Sequence, residues 1–202
     1  MSEAAVAGGR GALRKLANEL RTDAVIAPHV RDTDEEPALG RLVASGPRAS
    51  EGPAEYALLF EAIREGFLLH YASSRLLDGA DPDLRLLAGD YLYALGLERL
   101  AARGDLEAVS ELADLISLSA QLHARDSLAE AEPLWLASAV AVGTGVDPGH
   151  GRAKQALRDG DPDAAAALVA IAAEAANRFG MRDALARAAD SIGFGAELSD
   201  RG

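Results

Sequence analysis

Residues 86–95, Leu86-Leu87-Ala88-Gly89-Asp90-Tyr91-Leu92-Tyr93-Ala94-Leu95, carry apolar side chains at nearly every helical angle. Alanine and leucine dominate the whole chain, while β-branched and aromatic strand formers are sparse, so a run of this kind is a helix. Asp81-Pro82 upstream supplies an N-cap and a first-turn proline, and Gly104-Asp105 marks the far end, giving a helix from Pro82 to about Arg103. A helix that is apolar all round belongs in an interior. Asp90 is therefore expected to be a buried carboxylate with a partner on a neighbouring helix, as a ligand or, more simply, as a packing lock. Gly89 and Gly96 are seven residues apart and share a face. Glycine costs about 1 kcal/mol in a helix interior, so two on one face predict a closely packed helix neighbour.

The pattern extends outward in both directions. Before the break at Asp78-Gly79-Ala80-Asp81-Pro82, the chain reads as a helix from Ala54 to about Leu77, about 36 Å long. Its apolar residues Leu59, Phe60, Ile63, Phe67 and Tyr71 wrap more than one stripe, which predicts a central position antiparallel to the next helix. Further helices follow at about Leu106–Ala124 and from Glu132-Pro133, through Trp135, to Gly143. After the loop Gly143–Gly151 come a short helix ending at Asp159, another from Pro162 to Phe179, and one from Met181 to about Ile192. No strand pattern or fixed-period repeat occurs. The expectation is an all-α helical bundle over residues 54–202. Residues 1–53 hold two short helices, Gly11–Arg21 and Ala38–Ala44, among Pro28, Pro37 and Gly46-Pro47, and read as peripheral and partly mobile.

Composition narrows the function. The 202 residues include no cysteine, which excludes disulfides, thiolate metal sites and cysteine nucleophiles. The apolar run Leu134–Val142 is too short to span a bilayer and the N-terminus lacks a signal core, so a soluble cytoplasmic protein is expected. Net charge is -12; residues 51–202 carry thirteen basic and twenty-five acidic side chains. Such a surface repels phosphate backbones and anionic lipid, which argues against nucleic-acid or membrane binding.

Residues 66–92 carry a resemblance. His70-Tyr71-Ala72-Ser73-Ser74-Arg75, then Leu77-Asp78-Gly79-Ala80-Asp81 and Leu87-Ala88-Gly89-Asp90-Tyr91, resemble the trans-prenyltransferase family, the polyprenyl diphosphate synthases. The resemblance implies a truncated isoprenoid synthase fold. It also implies Asp78 and Asp81 as remnants of an aspartate motif whose carboxylates hold Mg²⁺ on an allylic diphosphate. The departures are specific: Leu77 stands where the first aspartate belongs, the arginine segment is reduced to Arg85, and no second aspartate motif follows. This combination is similar to the small, non-catalytic components of two-component synthases, typified by component I of heptaprenyl diphosphate synthase. It implies no catalytic residue and no cofactor in the chain alone, with Mg²⁺ on a catalytic synthase subunit as partner. Phe60, Leu68, Tyr71, Tyr93 and Trp135 are then candidates for the partner interface or the wall of the product cavity. The alternatives are a divergent prenyltransferase active alone with Mg²⁺, and a helical interaction module unrelated to isoprenoids.

Each candidate also has a plainer reading. Asp81 suits an N-cap and Asp83 the positive helix end, a device that Asp161-Pro162-Asp163 repeats. His70 and His123 fit interior or boundary positions, since no ligand cluster surrounds them. Ser73 and Ser74 lie within the expected helix and make no nucleophile elbow. Gly143–Gly151 lacks the lysine of a phosphate loop. Trp135 fits core packing.

Overall fold

A computed structural model describes residues 11–194, which form nine α-helices: α1 (Ala12–Leu20), α2 (Ala38–Ala44), α3 (Pro53–Tyr71), α4 (Pro82–Ala102), α5 (Leu106–Ala124), α6 (Ala131–Thr144), α7 (Pro148–Asp159), α8 (Ala164–Arg178) and α9 (Arg182–Ser191). No β-strand occurs among the described residues; one isolated antiparallel bridge joins Val30 to Leu77. The chain is an all-α bundle. No helix among the described residues is long and apolar enough to cross a membrane.

Local chemistry sets most boundaries. Asp81 Oδ1 accepts from Leu84 N at 2.8 Å, and Asp105 Oδ1 from Ala108 N at 3.1 Å, capping α4 and α5. Gly160 ends α7 at φ 82°, in the left-handed region that glycine reaches without a Cβ penalty. At α8 the device differs from expectation. Asp161 accepts from Asp163 N in a turn of its own, and the helix begins only at Ala164.

The core is built around α3 and α6. Phe60, Ile63 and Phe67 of α3 meet Leu134, Trp135 and Val140 of α6, with Leu112 and Leu115 of α5 and Leu168 of α8 closing the same cluster. Phe60 and Trp135 pack edge to face at 5.8 Å and 87°, a favoured aromatic geometry. A second cluster sets Leu13, Leu16 and Leu20 of α1 against Leu58, Leu84 and Leu92. The glycine face of α4 lies directly against α3: a Cβ on Gly89 would come within 3.2 Å of Gly66 O, and one on Gly96 within 3.2 Å of Leu59 O. These pairings run in opposite senses along the two helices, which are antiparallel. The close helix neighbour expected from Gly89 and Gly96 is α3.

Three expectations are corrected. α3 stops at Tyr71, not Leu77, because Ala72 turns to extended backbone and the next residues bond back onto the helix (below). α4 is not buried on all sides: Leu86, Leu87 and Tyr91 are 46%, 61% and 43% exposed, since the helix lies at the edge of the bundle. Residues 11–53 are not peripheral. Leu39, Leu42, Val43 and Ala49 belong to the main core, and α2 packs against α3, α6 and α9. The remainder of that segment, residues 1–10, lies outside the described residues.

Candidate functional site

The segment between α3 and α4 is where the sequence points to chemistry, and a buried ion network organises it. Glu61 and Glu65 are one turn apart on α3 and fully buried. Glu65 accepts from Ser74 Oγ at 2.5 Å, Arg75 N at 2.8 Å, Arg75 Nε at 2.9 Å and Leu76 N at 3.2 Å. Glu61 accepts from Gly40 N at 2.7 Å and faces Arg75 Nη2 at 2.8 Å. Burial by itself would lower the pKa of the Arg75 guanidinium, but the two carboxylates more than offset this and raise it. Ser74 Oγ in turn accepts from Leu76 N and Leu77 N, and Ser74 O accepts from Arg31 Nη2. Beside the network opens a cleft of about 350 Å³, lined among others by Arg31, Glu35, Arg64, Leu68, Ser73 and Ile192.

This arrangement decides the fate of the two candidate aspartates. Leu77 is buried. Asp78 Oδ1 accepts from Gly79 N at 2.8 Å, and Asp81 caps α4 through Leu84 N. Neither residue lies on a helix turn shared with the other, so their carboxylates do not form the one-turn pair that grips Mg²⁺. Among the described residues no group of three or more His, Asp or Glu side chains could hold a metal ion. Asp78 and Asp81 are each engaged by a backbone amide of their own turn.

Four of the five interface or cavity candidates fall into one aromatic chain. Phe60 packs on Trp135, Trp135 on Phe67 at 5.3 Å, Phe67 on Tyr71 at 5.3 Å, and Tyr71 on His70, which stacks on Tyr93 at 5.3 Å and 9°. Tyr71 also packs on His123 at 4.6 Å. Arg64 lies over Phe67 and Trp135 and pairs with Glu132 at 2.8 Å. Phe60 and Trp135 are enclosed in the core and present nothing to a partner. Tyr71, Tyr93 and Leu68 are half-buried at its boundary, with Leu68 lining the cleft instead. Burial, then the Asp90 charge, raises the Tyr71 phenol; burial, then Tyr71 and Asp90, raises that of Tyr93. Both stay neutral.

The expected burial of Asp90 is corrected. Its side chain is 72% exposed, on the outward face of α4, with Oδ1 3.2 Å from His70 Nε2. The partner on a neighbouring helix is His70 of α3, but the carboxylate meets it at the surface and not in the interior. Among the described residues the buried carboxylates are Glu61, Glu65 and, elsewhere, Glu111. Glu111 Oε1 meets His150 Nε2 at 2.8 Å and Lys154 Nζ at 3.0 Å between α5 and α7, and Lys154 continues to Asp114 at 2.7 Å. Sequence reasoning passed over all of these. Glu61 and Glu65, spaced four apart among the apolar residues of α3, were the available signal.

Outside the network, the outward face of α4 presents Leu86, Leu87, Asp90 and Tyr91 side by side. No family model, curated protein or solved structure matches the chain.

Proposed function

We propose that this chain is a non-catalytic subunit of a heteromeric polyprenyl diphosphate synthase, which pairs with a catalytic subunit and influences the length or rate of product formation. The observation that carries the reading is the unpartnered apolar strip Leu86–Leu87–Tyr91 on α4, within the stretch that resembles the synthases. A helix this apolar costs solubility when left bare, and a second subunit removes that cost. Its own residues argue for a scaffold and against a catalyst. Ionising an allylic diphosphate needs charge held on the leaving group, and loss of one such stabilising donor alone costs about a hundredfold or more in rate. Here Leu77 is apolar and buried, while Asp78 and Asp81 bond to the backbone. The bundle interior that would line a growing chain is filled by Phe60, Phe67 and Trp135.

Incorporation of labelled isopentenyl diphosphate tests the proposal, with each subunit alone and with both together. The isolated chain is expected to be silent with every allylic partner. Added to the catalytic subunit of the same host, it is expected to change yield or product length. Turnover by this chain alone would favour an independent prenyltransferase, and a synthase that neither binds nor responds would favour an unrelated interaction module.

A further inference from the structure

The outward face of α4 combines apolar surface with charge of one sign. Leu87, Tyr91 and Ala94 run along its middle and Leu86 borders it. Asp83, Asp90 and Glu98 lie among them, and all three are exposed. The two arginines of the helix are turned back into the chain. Arg85 donates to Leu69 O at 3.1 Å and to Ala72 O at 2.5 Å, while Arg99 grips Glu19 of α1 at 3.0 and 3.1 Å. The strip is thus apolar with a carboxylate rim.

That rim discriminates between occupants. An anionic lipid surface is repelled. A second copy of this chain, related by a two-fold axis, would set Asp83, Asp90 and Glu98 of one copy against the same residues of the other, a like-charge juxtaposition that disfavours the pairing. A surface of opposite sign satisfies both the apolar strip and its rim. We infer that α4 docks a helix of a different protein whose aliphatic stripe is flanked by arginine or lysine side chains. Leu87 and Tyr91 are the anchors, and Asp83, Asp90 and Glu98 set register and speed of encounter. The inference rests on the subunit reading above and names the chemistry that the partner surface must carry.

The test uses the full chain and the purified catalytic synthase subunit of the same host. Light scattering on the chain alone is expected to give a monomer. A dimer dissolved by Leu87→Ser/Tyr91→Ser would overturn the inference, as would binding to phosphatidylglycerol vesicles lost in that variant. In titrations with the synthase subunit, Leu87→Ser/Tyr91→Ser is expected to weaken the complex about a hundredfold or more. Asp90→Asn/Glu98→Gln is expected to slow association about tenfold and to flatten its salt dependence. All four side chains are exposed, so circular dichroism and melting temperature should match the wild type. Hydrogen exchange in the complex should show protection over residues 86–94. A complex of unchanged affinity in both variants, protected elsewhere, would overturn the docking face and leave the subunit reading standing. No complex in any arm would overturn both.

Discussion

Glu65 gathers the backbone and side chain of Arg75, the hydroxyl of Ser74 and the amide of Leu76 around a carboxylate with no exposed surface. Removing one partner of a buried pair leaves the other charge uncompensated, which costs about 3–5 kcal/mol. Glu65→Gln keeps the shape and leaves Arg75 paired with Glu61 alone, so it is expected to lower unfolding free energy by about 1–3 kcal/mol, read from denaturant midpoints at unchanged slope. The Glu111 network gives a pH dependence. Burial raises the pKa of Glu111, but its bond to His150 and the Lys154 charge more than offset this and hold it below the ordinary 4.5; Asp114, also opposed by burial, is lowered by Lys154 and Arg158. Groups with depressed folded pKa values bind fewer protons than in the unfolded chain. Their stability is fully present above the unfolded value and is lost as pH falls through the folded one. Melting temperature should therefore fall on acidification below about pH 4.5, and Glu111→Gln should blunt that fall. Neither network was legible from sequence. The Glu111 pairs join residues 39 and 43 positions apart and nothing local marks Lys154 or His150 as buried, while the Glu65 partners, only 9 to 11 residues on, were hidden by a helix expected to run to Leu77.

Element boundaries were legible where the chemistry is local. The Asp81–Pro82 start of α4 and the Asp105 cap of α5 follow from side chains within three residues of the bonds they make. Asp81→Ala is expected to cost about 1 kcal/mol in thermal or denaturant unfolding. The far end of α3 was not legible, because Glu65 outcompetes the helix for the amides of residues 75 and 76. The same limit applies to the faces of α4: a helix apolar on all sides does not say which side is covered. Its glycines did. A Cβ on Gly96 would stand 2.6 Å from Ile63 Cγ1 and 3.2 Å from Leu59 O, and one on Gly89 2.5 Å from the His70 ring. Alanine gains about 1 kcal/mol in helix propensity, yet overpacking costs about 1–3 kcal/mol. Gly96→Ala is expected to be net destabilising in equilibrium unfolding, and Gly89→Ala also to disturb the ring signals of His70 and Tyr93 in NMR spectra.

At the scale of the molecule, the core admits no division at residue 53. Leu39, Leu42 and Val43 share one cluster with Trp135, Leu168 and Leu185, and Gly40 N satisfies the buried Glu61. Unfolding should be a single transition, coincident by circular dichroism and tryptophan fluorescence. A fragment beginning at residue 54 should lack cooperative unfolding, because it exposes that cluster and removes the Gly40 N–H from the buried Glu61.

The contact between α2 and α9 closes the bundle, so α2 is held from several sides at once, while the stretch linking it to α3 includes the exposed residues Ser50 and Glu51. A backbone cut there would sever the covalent thread and leave the packing intact. The nicked protein should run as two pieces under denaturing conditions and as one particle in native chromatography. Pieces prepared separately should find each other on mixing, regaining helical signal that the larger one lacks alone. In that sense residues 11–50 act as a bound ligand that happens to be tethered.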